Sequence, residues 1–343
     1  MKILANLEKM KVWSLLLTVL GVTMVSCENI LEEEVVDCSV EYRVKFKYDH
    51  NMKFADAFAN EVRSVTLYAF DQEGKFVYQR TEQGDILGED GYSMPVEVQE
   101  GEYRFVTWAG LEGEESFSVP VLTQGVSTID ELTCRMNRIS TRADGTAIVN
   151  EDLKPLWHGE ITEHTFTSRA AEVQELTIPL VKNTNTFRII LQQLSEEPID
   201  VNDFEFRIDD KNGFMAHDNS ILEDTPLVYY PYHYATGSTE AGAEDVENLN
   251  LAVAELSTGR LMADAETKLT ITNKETGEVV FSIPLIKYLS VYKTVANYDM
   301  PLQEFLDRED EYVLHFFLDE GGRWIDTQII INEWIVRYND INS

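Results

Sequence analysis

The residue whose chemistry is most readily inferred from the sequence is Cys27, which directly follows an apolar segment near the N-terminus. That segment, residues 12–22, is preceded by basic residues and followed, after Thr23, by Met24-Val25-Ser26. A basic flank, an apolar run and a small residue are typical of a secretory signal peptide. A cysteine at the cleavage point resembles a lipobox, although Met24 stands where Leu is usual. The pattern predicts a lipoprotein signal peptide over residues 1–26 and lipidation of Cys27; the alternative is an ordinary signal peptide with an incidental cysteine.

Lipid on Cys27 would be the contact between this chain and a membrane. The apolar segment is too short to span a bilayer as a helix, which takes roughly 20 residues. Each buried methylene of a lipid chain contributes about 0.8 kcal/mol to membrane binding, so several chains on one cysteine make a lasting anchor. Residues 27–39 are then predicted to be a lipidated tether, which begins with the acidic stretch Glu28-Asn29-Ile30-Leu31-Glu32-Glu33-Glu34.

Two further cysteines, Cys38 and Cys134, remain in the exported chain. In an oxidising compartment they can form one disulfide; the other interpretation is a pair of buried thiols. No Cys-x-x-Cys pair and no cysteine–histidine spacing typical of zinc ligands occurs. We therefore expect no metal site.

The histidines do not form a catalytic pattern. No two of the six have the four-residue spacing of a helical zinc site. The sequence also lacks a Gly-x-Ser-x-Gly motif and a Gly-rich phosphate loop. His158, beside Trp157 and close to Glu160, is the most site-like, yet a loop histidine without a catalytic role is the preferred interpretation. We expect the protein not to be an enzyme and to use no cofactor.

An aromatic cluster occupies residues 229–234, with the sequence Tyr229-Tyr230-Pro231-Tyr232-His233-Tyr234. Sugars stack on exposed aromatic rings, so the cluster could be a platform for a glycan. The preferred alternative is a strand whose tyrosines pack on both sides, with Pro231 at a sheet edge.

The charge balance of the chain is strongly acidic. Asp and Glu number 61 against 28 Lys and Arg, which gives a net charge of −33 at pH 7. Such a chain is repelled by the phosphate backbone, so we exclude nucleic acid as a partner. A 44% share of hydrophobic residues is enough to build packed cores, and 343 residues exceed one ordinary domain. We expect two domains.

Alternation of apolar and polar residues dominates the sequence and predicts strands. It runs through residues 40–48, and the segments 65–78, 204–213 and 269–283 are typical of hairpins with Gly-containing turns. Further strands are predicted at 103–109, 175–181, 186–192, 312–318 and 327–336, with short helices at 52–62, 127–138 and 301–308. The pattern predicts an all-β protein with an N-terminal β-sandwich over residues 40–182 and a C-terminal β-sandwich over residues 183–343.

Several segments together carry a resemblance to a known family. They are Cys27, Asp37-Cys38-Ser39, the strand ending Lys45-Phe46-Lys47-Tyr48-Asp49, Ser64-Val65-Thr66-Leu67-Tyr68-Ala69-Phe70-Asp71 with Gly74-Lys75-Phe76-Val77, and Ile329-Ile330-Ile331-Asn332-Glu333-Trp334. This combination resembles the fimbrillin-A-associated anchor protein family, the accessory subunits of type V fimbriae in Bacteroidales. The resemblance implies two tandem transthyretin-like β-sandwiches. The acidic stretch after Cys27 resembles the signal that displays lipoproteins of these bacteria on the outer face of the cell outer membrane.

The same resemblance implies a function and partners. The protein would hold a fimbria at its base on the outer membrane and limit the length of the fibre. Its partners would be subunits of the same fibre, contacted where a strand of one subunit completes the sheet of the next. Some relatives are tip or accessory subunits, and a surface glycan-binding lipoprotein is the alternative from another functional class.

Arg43 lies inside the first predicted strand and bears on whether that strand is kept. In type V pilins an Arg-specific protease removes the first strand and opens a groove for a neighbour's strand. No Arg or Lys lies between Cys27 and Arg43, so a cut at this protease-sensitive position would separate the lipid from the body. We expect an anchor to stay uncut there, because proteolysis needs local unfolding.

Overall fold

The computed structural model describes residues 40–138, 140–168, 173–193, 198–239, 249–319, 324–331 and 334–338. Most regular structure in these ranges is β. The strands in chain order are β1 (Tyr42–Lys47), β2 (Ser64–Phe70), β3 (Phe76–Gln83), β4 (Met94–Val96), β5 (Gly101–Ala109), β6 (Phe117–Ser118), β7 (Cys134–Met136), β8 (Ser140–Thr141), β9 (Ala147–Val149), β10 (Trp157–Phe166), β11 (Gln174–Pro179), β12 (Val181–Lys182), β13 (Thr184–Gln193), β14 (Phe204–Asp210), β15 (Phe214–Met215), β16 (Leu227–Tyr229), β17 (His233–Thr239), β18 (Leu249–Gly259), β19 (Lys268–Asn273), β20 (Val279–Pro284), β21 (Glu311–Leu318), β22 (Trp324–Ile331) and β23 (Trp334–Tyr338).

Helices are few and short in these ranges. They are α1 (Phe58–Glu61), α2 (Leu285–Val295) and α3 (Leu302–Arg308), with single 3-10 turns at Asp85–Gly88, Glu112–Glu114, Ile129–Glu131 and Val201–Asp203. None of the helices described combines the length and the apolar character that crossing a bilayer requires. The all-β fold class predicted from the sequence is confirmed, whereas the tandem transthyretin-like arrangement remains a prediction.

The strands form larger and smaller sheets with defined neighbours. The sheets have the orders β11-β1-β4, β12-β10-β5-β2-β3, β17-β18-β13-β21-β22-β23, β20-β19-β14-β16-β9-β8 and β15-β7-β6. Alternation places apolar side chains on the inner face, as in β14, where Phe204, Phe206 and Ile208 are buried and the residues between them are half-buried. In β2 every residue is buried, which is the pattern of a central strand covered on both faces.

Strands from before and after the predicted boundary at residue 182 pair with one another. The hairpin β8–β9 belongs to the first half of the chain, yet β9 pairs in parallel with β16, from Ala147 opposite Leu227 to Val149 opposite Tyr229. Strand β15 similarly pairs with β7. One hydrophobic cluster contains both Trp108 and residues of the second half, and residues 41–343 form one compact unit. The boundaries 40–182 and 183–343 remain a prediction, and these pairings oppose independent folding of the two parts.

Several local predictions need correction. The predicted hairpin at 204–213 does not form, because β14 pairs with β16 and β19 while β15 joins another sheet. The helix predicted at 52–62 is limited to α1. The helix predicted at 127–138 is one 3-10 turn followed by β7. Helix α2 was not predicted. Tertiary pairing determines these segments more strongly than local propensity does.

Candidate functional site at the first strand

Strand β1, the first described element after the predicted tether, is the middle strand of its sheet. On one side it pairs in parallel with β11, from Tyr42 opposite Gln174 to Lys47 opposite Pro179. On the other side it pairs antiparallel with β4, where Val44 lies opposite Met94. The backbone of β1 is therefore hydrogen-bonded toward both neighbours, and the strand can leave only if two ladders break.

The apolar face of β1 is held by aromatic contacts. Val44 is fully buried. The rings of Tyr42 and Phe166 are stacked with centroids 4.2 Å apart, and those of Phe46 and Phe58 are stacked at 5.6 Å. Such ring pairs each contribute about 0.5–1.5 kcal/mol beyond the burial of their area. The alternation predicted for residues 40–48 thus determines which face of β1 packs inward.

Arg43 lies on the other face of β1, where its guanidinium is bound rather than free. Its Nε donates to Ser93 Oγ at 2.6 Å, and its Nη2 donates to the carbonyl oxygen of Ser93 at 2.6 Å. Its Nη1 forms an ion pair with Glu41. Sequence reasoning missed Ser93, because it lies 50 residues along the chain and no local pattern marks it. A protease that requires an extended arginine would have to break these bonds and both ladders.

The far end of β1 is tied to the second half of the chain. Arg308 Nη1 donates to the carbonyl oxygen of Asp49 at 3.3 Å. Lys182 lies 3.9 Å from a carboxylate oxygen of Glu61 and forms an ion pair with Asp310. The rings of Tyr48 and Trp157 meet edge to face at 5.9 Å. The segment that follows β1 therefore lies at a charged junction between the two parts of the chain.

Of the three cysteines predicted to have a role, the structure describes only one. Cys27 and Cys38 lie outside the described residues, so lipidation and the disulfide remain predictions. Cys134 is fully buried in β7, and burial raises the pKa of its thiol. No group of three or more His, Cys, Asp or Glu side chains within the described ranges is arranged to hold a metal ion.

His158, the most site-like histidine of the sequence, lies in strand β10 and not in a loop. Its Nε2 donates to the carbonyl oxygen of His217 at 2.6 Å, and its ring packs edge to face on Trp108 at 4.7 Å. Burial lowers the pKa of His158 to about 4, so the ring is neutral at pH 7. The His217 ring lies 3.7 Å from Glu160. Both histidines serve the packing between the two halves of the chain.

The tyrosine cluster does not form one exposed surface. Tyr229 ends β16, is fully buried and donates from its hydroxyl to Asn212 Oδ1 at 2.5 Å. The Tyr230 hydroxyl is engaged by Arg142. Only Tyr234 has a substantially exposed ring, with 39% of its area accessible. The separate environments of these rings match the preferred interpretation, in which the tyrosines pack on different sides.

Comparison with known proteins identifies the family of this chain. Residues 34–340 match the family model of the fimbrillin-A associated anchor proteins Mfa1 and Mfa2. The chain belongs to this family. The resemblance inferred from the sequence is thereby confirmed.

Relatives of this anchor-protein family cover almost the entire chain. The minor fimbrium anchoring subunit Mfa2 of Porphyromonas gingivalis is 20% identical over 322 residues, which are 93% of this chain and 92% of that protein. The solved structure of that fimbrial anchor protein superposes with a TM-score of 0.62 at 16% identity, covering 87% of this chain and 99% of the other. At this identity the likeness concerns the fold.

Two more similar solved structures come from Bacteroides thetaiotaomicron. One, described as a candidate polysaccharide-binding protein, has a TM-score of 0.76 at 35% identity and covers 89% of this chain and 100% of its own. The other, described as a candidate adhesin, has a TM-score of 0.76 at 34% identity, with coverages of 87% and 97%. Members of this fold are thus described in terms of both attachment and polysaccharide binding.

Proposed function

We propose that this protein is a lipoprotein of the cell outer membrane that anchors a fimbria, through lipid on Cys27 at one end and strand-mediated contact with fibre subunits at the other. Membership of the anchor-protein family supports the fimbrial role. The observation that carries the proposal is the position of β1, because the strand directly after the tether is the central strand of its sheet. An anchor keeps this strand, so the lipidated tether stays covalently connected to the folded part of the protein.

The lipid attachment is tested with cysteine variants in the native bacterium. Cys27→Ala is expected to move the protein out of the membrane fraction or to leave an unprocessed precursor, because the thiol is the acceptor of the lipid. Cys38→Ala is the matched control and should remain membrane-bound. A processed Cys27→Ala protein that stays in the membrane at the wild-type level contradicts the anchoring.

The anchoring of a fibre is tested by deletion of the gene. An anchor that also limits length predicts that cells lacking it shed fibres into the medium and that these fibres are longer than in the parent strain. Electron microscopy of cells and medium measures both. Fibres of unchanged length that stay attached to the deletion strain would exclude the anchor role and favour a tip or accessory position.

The state of Arg43 distinguishes an anchor from a processed subunit. We expect the protein from fibre-bearing cells to begin at Cys27, because the two ladders of β1 and the bonds to Ser93 shield the peptide bond after Arg43. Mass spectrometry of the N-terminus measures this. A dominant species that begins at Val44 would show a processed fibre or tip subunit.

Polysaccharide binding is the second candidate function. It is favoured by the 35%-identical structure from Bacteroides thetaiotaomicron that carries this description. The test is retention of the purified protein by immobilised polysaccharides, measured as a saturable binding curve. Loss of binding in both Tyr230→Ala and Tyr232→Ala would assign it to the tyrosine cluster, whereas absence of any saturable binding would remove the candidate.

A further inference from the structure

An open groove of about 630 Å³ lies beside the sheet that the two halves of the chain share. Small-ligand sites generally have volumes of about 300–1,000 Å³. One wall comes from the β8–β9 hairpin, with Arg142, Asp144 and Thr146, and the other from the end of β14, with Arg207 and Asp209. Residues from distant parts of the sequence thus line a single concave surface.

Part of the groove lining is apolar. Leu227 and Val228 of β16 belong to it but are only 0% and 3% exposed, so they offer almost no surface to a ligand. The accessible apolar surface comes from half-buried Ile221 and Met262 and from exposed Pro226. The groove therefore combines apolar and polar lining residues, which suits a ligand that has both carbon–hydrogen faces and hydroxyl groups.

The polar walls offer donors and acceptors in close alternation. Arg207 Nε donates to Asp209 Oδ2 at 3.1 Å, so a planar guanidinium and a carboxylate lie side by side, each about one-third exposed. Asp210 accepts from the Thr267 hydroxyl at 2.7 Å and is fixed as part of the wall. Arg142 contacts the hydroxyl of Tyr230.

Two basic side chains of the groove have hydrogen-bond donors that are available to a ligand. In the part of the chain that the structure describes, neither Arg142 nor Lys211 forms an ion pair with a carboxylate. Arg142 and Lys211 therefore keep donors for a ligand, although the chain has more than twice as many acidic as basic residues. The five carboxylates around the groove are Asp144, Asp209, Asp210, Asp264 and Glu266.

We propose that this groove binds a neutral saccharide unit, with the sugar ring against the accessible apolar residues of the lining and its hydroxyls between the Arg207–Asp209 pair, Arg142 and Lys211. Each sugar hydroxyl is both a donor and an acceptor, so it can bridge a guanidinium and a carboxylate at the same time. This inference rests on the second candidate function, polysaccharide binding, and gives it a site other than the tyrosine cluster, which the groove borders where Arg142 contacts Tyr230.

The charge of the groove selects against acidic ligands. Its five carboxylates outnumber the three cations Arg142, Arg207 and Lys211, and the whole chain is acidic. A uronate or a phosphate would therefore meet repulsion. A neutral sugar has no such penalty, and the charged walls form stronger hydrogen bonds to its hydroxyls than neutral groups would.

The experiment measures binding of neutral glucan, mannan and xylan oligosaccharides, with oligogalacturonate as the acidic comparison, to the purified mature chain by calorimetry. Asp209→Asn and Lys211→Ala are the groove variants. Glu255→Gln, which changes a carboxylate paired with Arg188 in another sheet, and Lys287→Ala are the matched controls. Loss of one hydrogen bond to a charged group should weaken binding by about tenfold or more, while the controls and Tyr232→Ala bind like the wild type.

The outcomes test separately whether the protein binds polysaccharide and whether this groove is the binding site. Binding of a neutral oligosaccharide that weakens in both groove variants supports the proposal. Binding that is equally strong in the groove variants leaves polysaccharide binding intact but overturns this site. Preference for oligogalacturonate overturns the neutral ligand. Failure of every polysaccharide to bind removes the second candidate function and the site with it, while the fimbrial anchor role stands on its own tests. Unchanged thermal melting of each variant shows that its fold is intact.

Discussion

Gly110 occupies a position that no other residue fits. Its φ is +90°, and a Cβ built there would lie 1.9 Å from the carbonyl oxygen of Pro155. Gly145 has the same φ of +90° but nothing within 4 Å of such a Cβ. Both positions therefore have a backbone conformation that would strain any residue with a Cβ, and they differ in the space available to it.

This pair gives a prediction about stability. Gly145→Ala should lower the free energy of unfolding by about 1 kcal/mol through strain alone. Gly110→Ala should lower it by about 3 kcal/mol or more, because the backbone of β5 or of the Pro155 segment must move. Urea denaturation followed by circular dichroism measures both. An equal decrease in the free energy of unfolding for the two variants would contradict the close contact between residue 110 and the Pro155 carbonyl oxygen.

Glu309 gives a pH-dependent prediction at the same scale. Burial raises the pKa of this carboxyl to about 7. Since the folded pKa lies above the ordinary value of 4.5, the folded state binds more protons and stability falls as the pH rises from 4.5 to 7. Glu309→Gln should stabilise the protein by about 3 kcal/mol at pH 8 and have no effect at pH 4.

The measurement is urea unfolding of the Glu309→Gln variant across this pH range. Glu311→Gln, an exposed change two residues away, is the control and should alter stability by less than about 0.5 kcal/mol. A gain that is the same at pH 4 and pH 8 would show that the effect is not linked to the proton.

At the scale of elements, we expect strand β1 to protect the peptide bond after Arg43. Val44→Asp places a charge at a fully buried position, which should loosen β1 and raise the rate of cleavage by an Arg-specific protease at least about tenfold. Lys45→Ala changes the outward face of the strand, removes only the partly exposed ion pair with Glu175 and should leave the rate within about twofold. Equal rates for the two variants would indicate that Arg43 is accessible without opening of the sheet.

The sequence predicts a strand pair correctly when the two strands are neighbours in the sequence, and fails when they are far apart. The hairpins β2–β3 and β19–β20 were predicted because each strand pairs with its neighbour along the chain across a turn. The second predicted hairpin failed because β14 finds its partners in β16 and β19. Helix α2 was missed because Leu285 and Ile286 continue the apolar run of β20, which hides the start of a helical period.

The candidate sites followed the same rule. The face of β1 that packs inward could be read from its alternation, because that information is local. The bonds from Arg43 to Ser93 and the groove beside β16 could not, because each combines residues that are distant in sequence. Nothing in the spacing of Arg142, Arg207 and Lys211 indicates that they share one surface.

For the whole molecule, the shared sheet predicts a single unfolding transition. Phe206 is fully buried in β14, and Phe206→Ala should cost about 3–5 kcal/mol. Because Trp108 of β5 and Phe206 of β14 belong to one hydrophobic cluster, the loss should lower the denaturation midpoint of both strands together. Hydrogen exchange of the amides in both strands measures this, with exposed Val313→Ala as the control. Separate midpoints would establish two independent domains with the boundary near Lys182.

The parallel pairing of β1 with β11 has a mechanical consequence. In the proposed anchor, a fibre dragged by flowing liquid would pull on the body while the lipid holds residue 27, so tension would enter the fold at Tyr42. Where that tension acts along the strand axis, it loads all the hydrogen bonds from Tyr42–Gln174 to Lys47–Pro179 at once, instead of opening them one after another from an end. The lifetime of the attachment under load would then be set by the rate at which this set of bonds and the ladder to β4 rupture, so the short strand that bears Arg43 would determine how long a fibre stays on the cell.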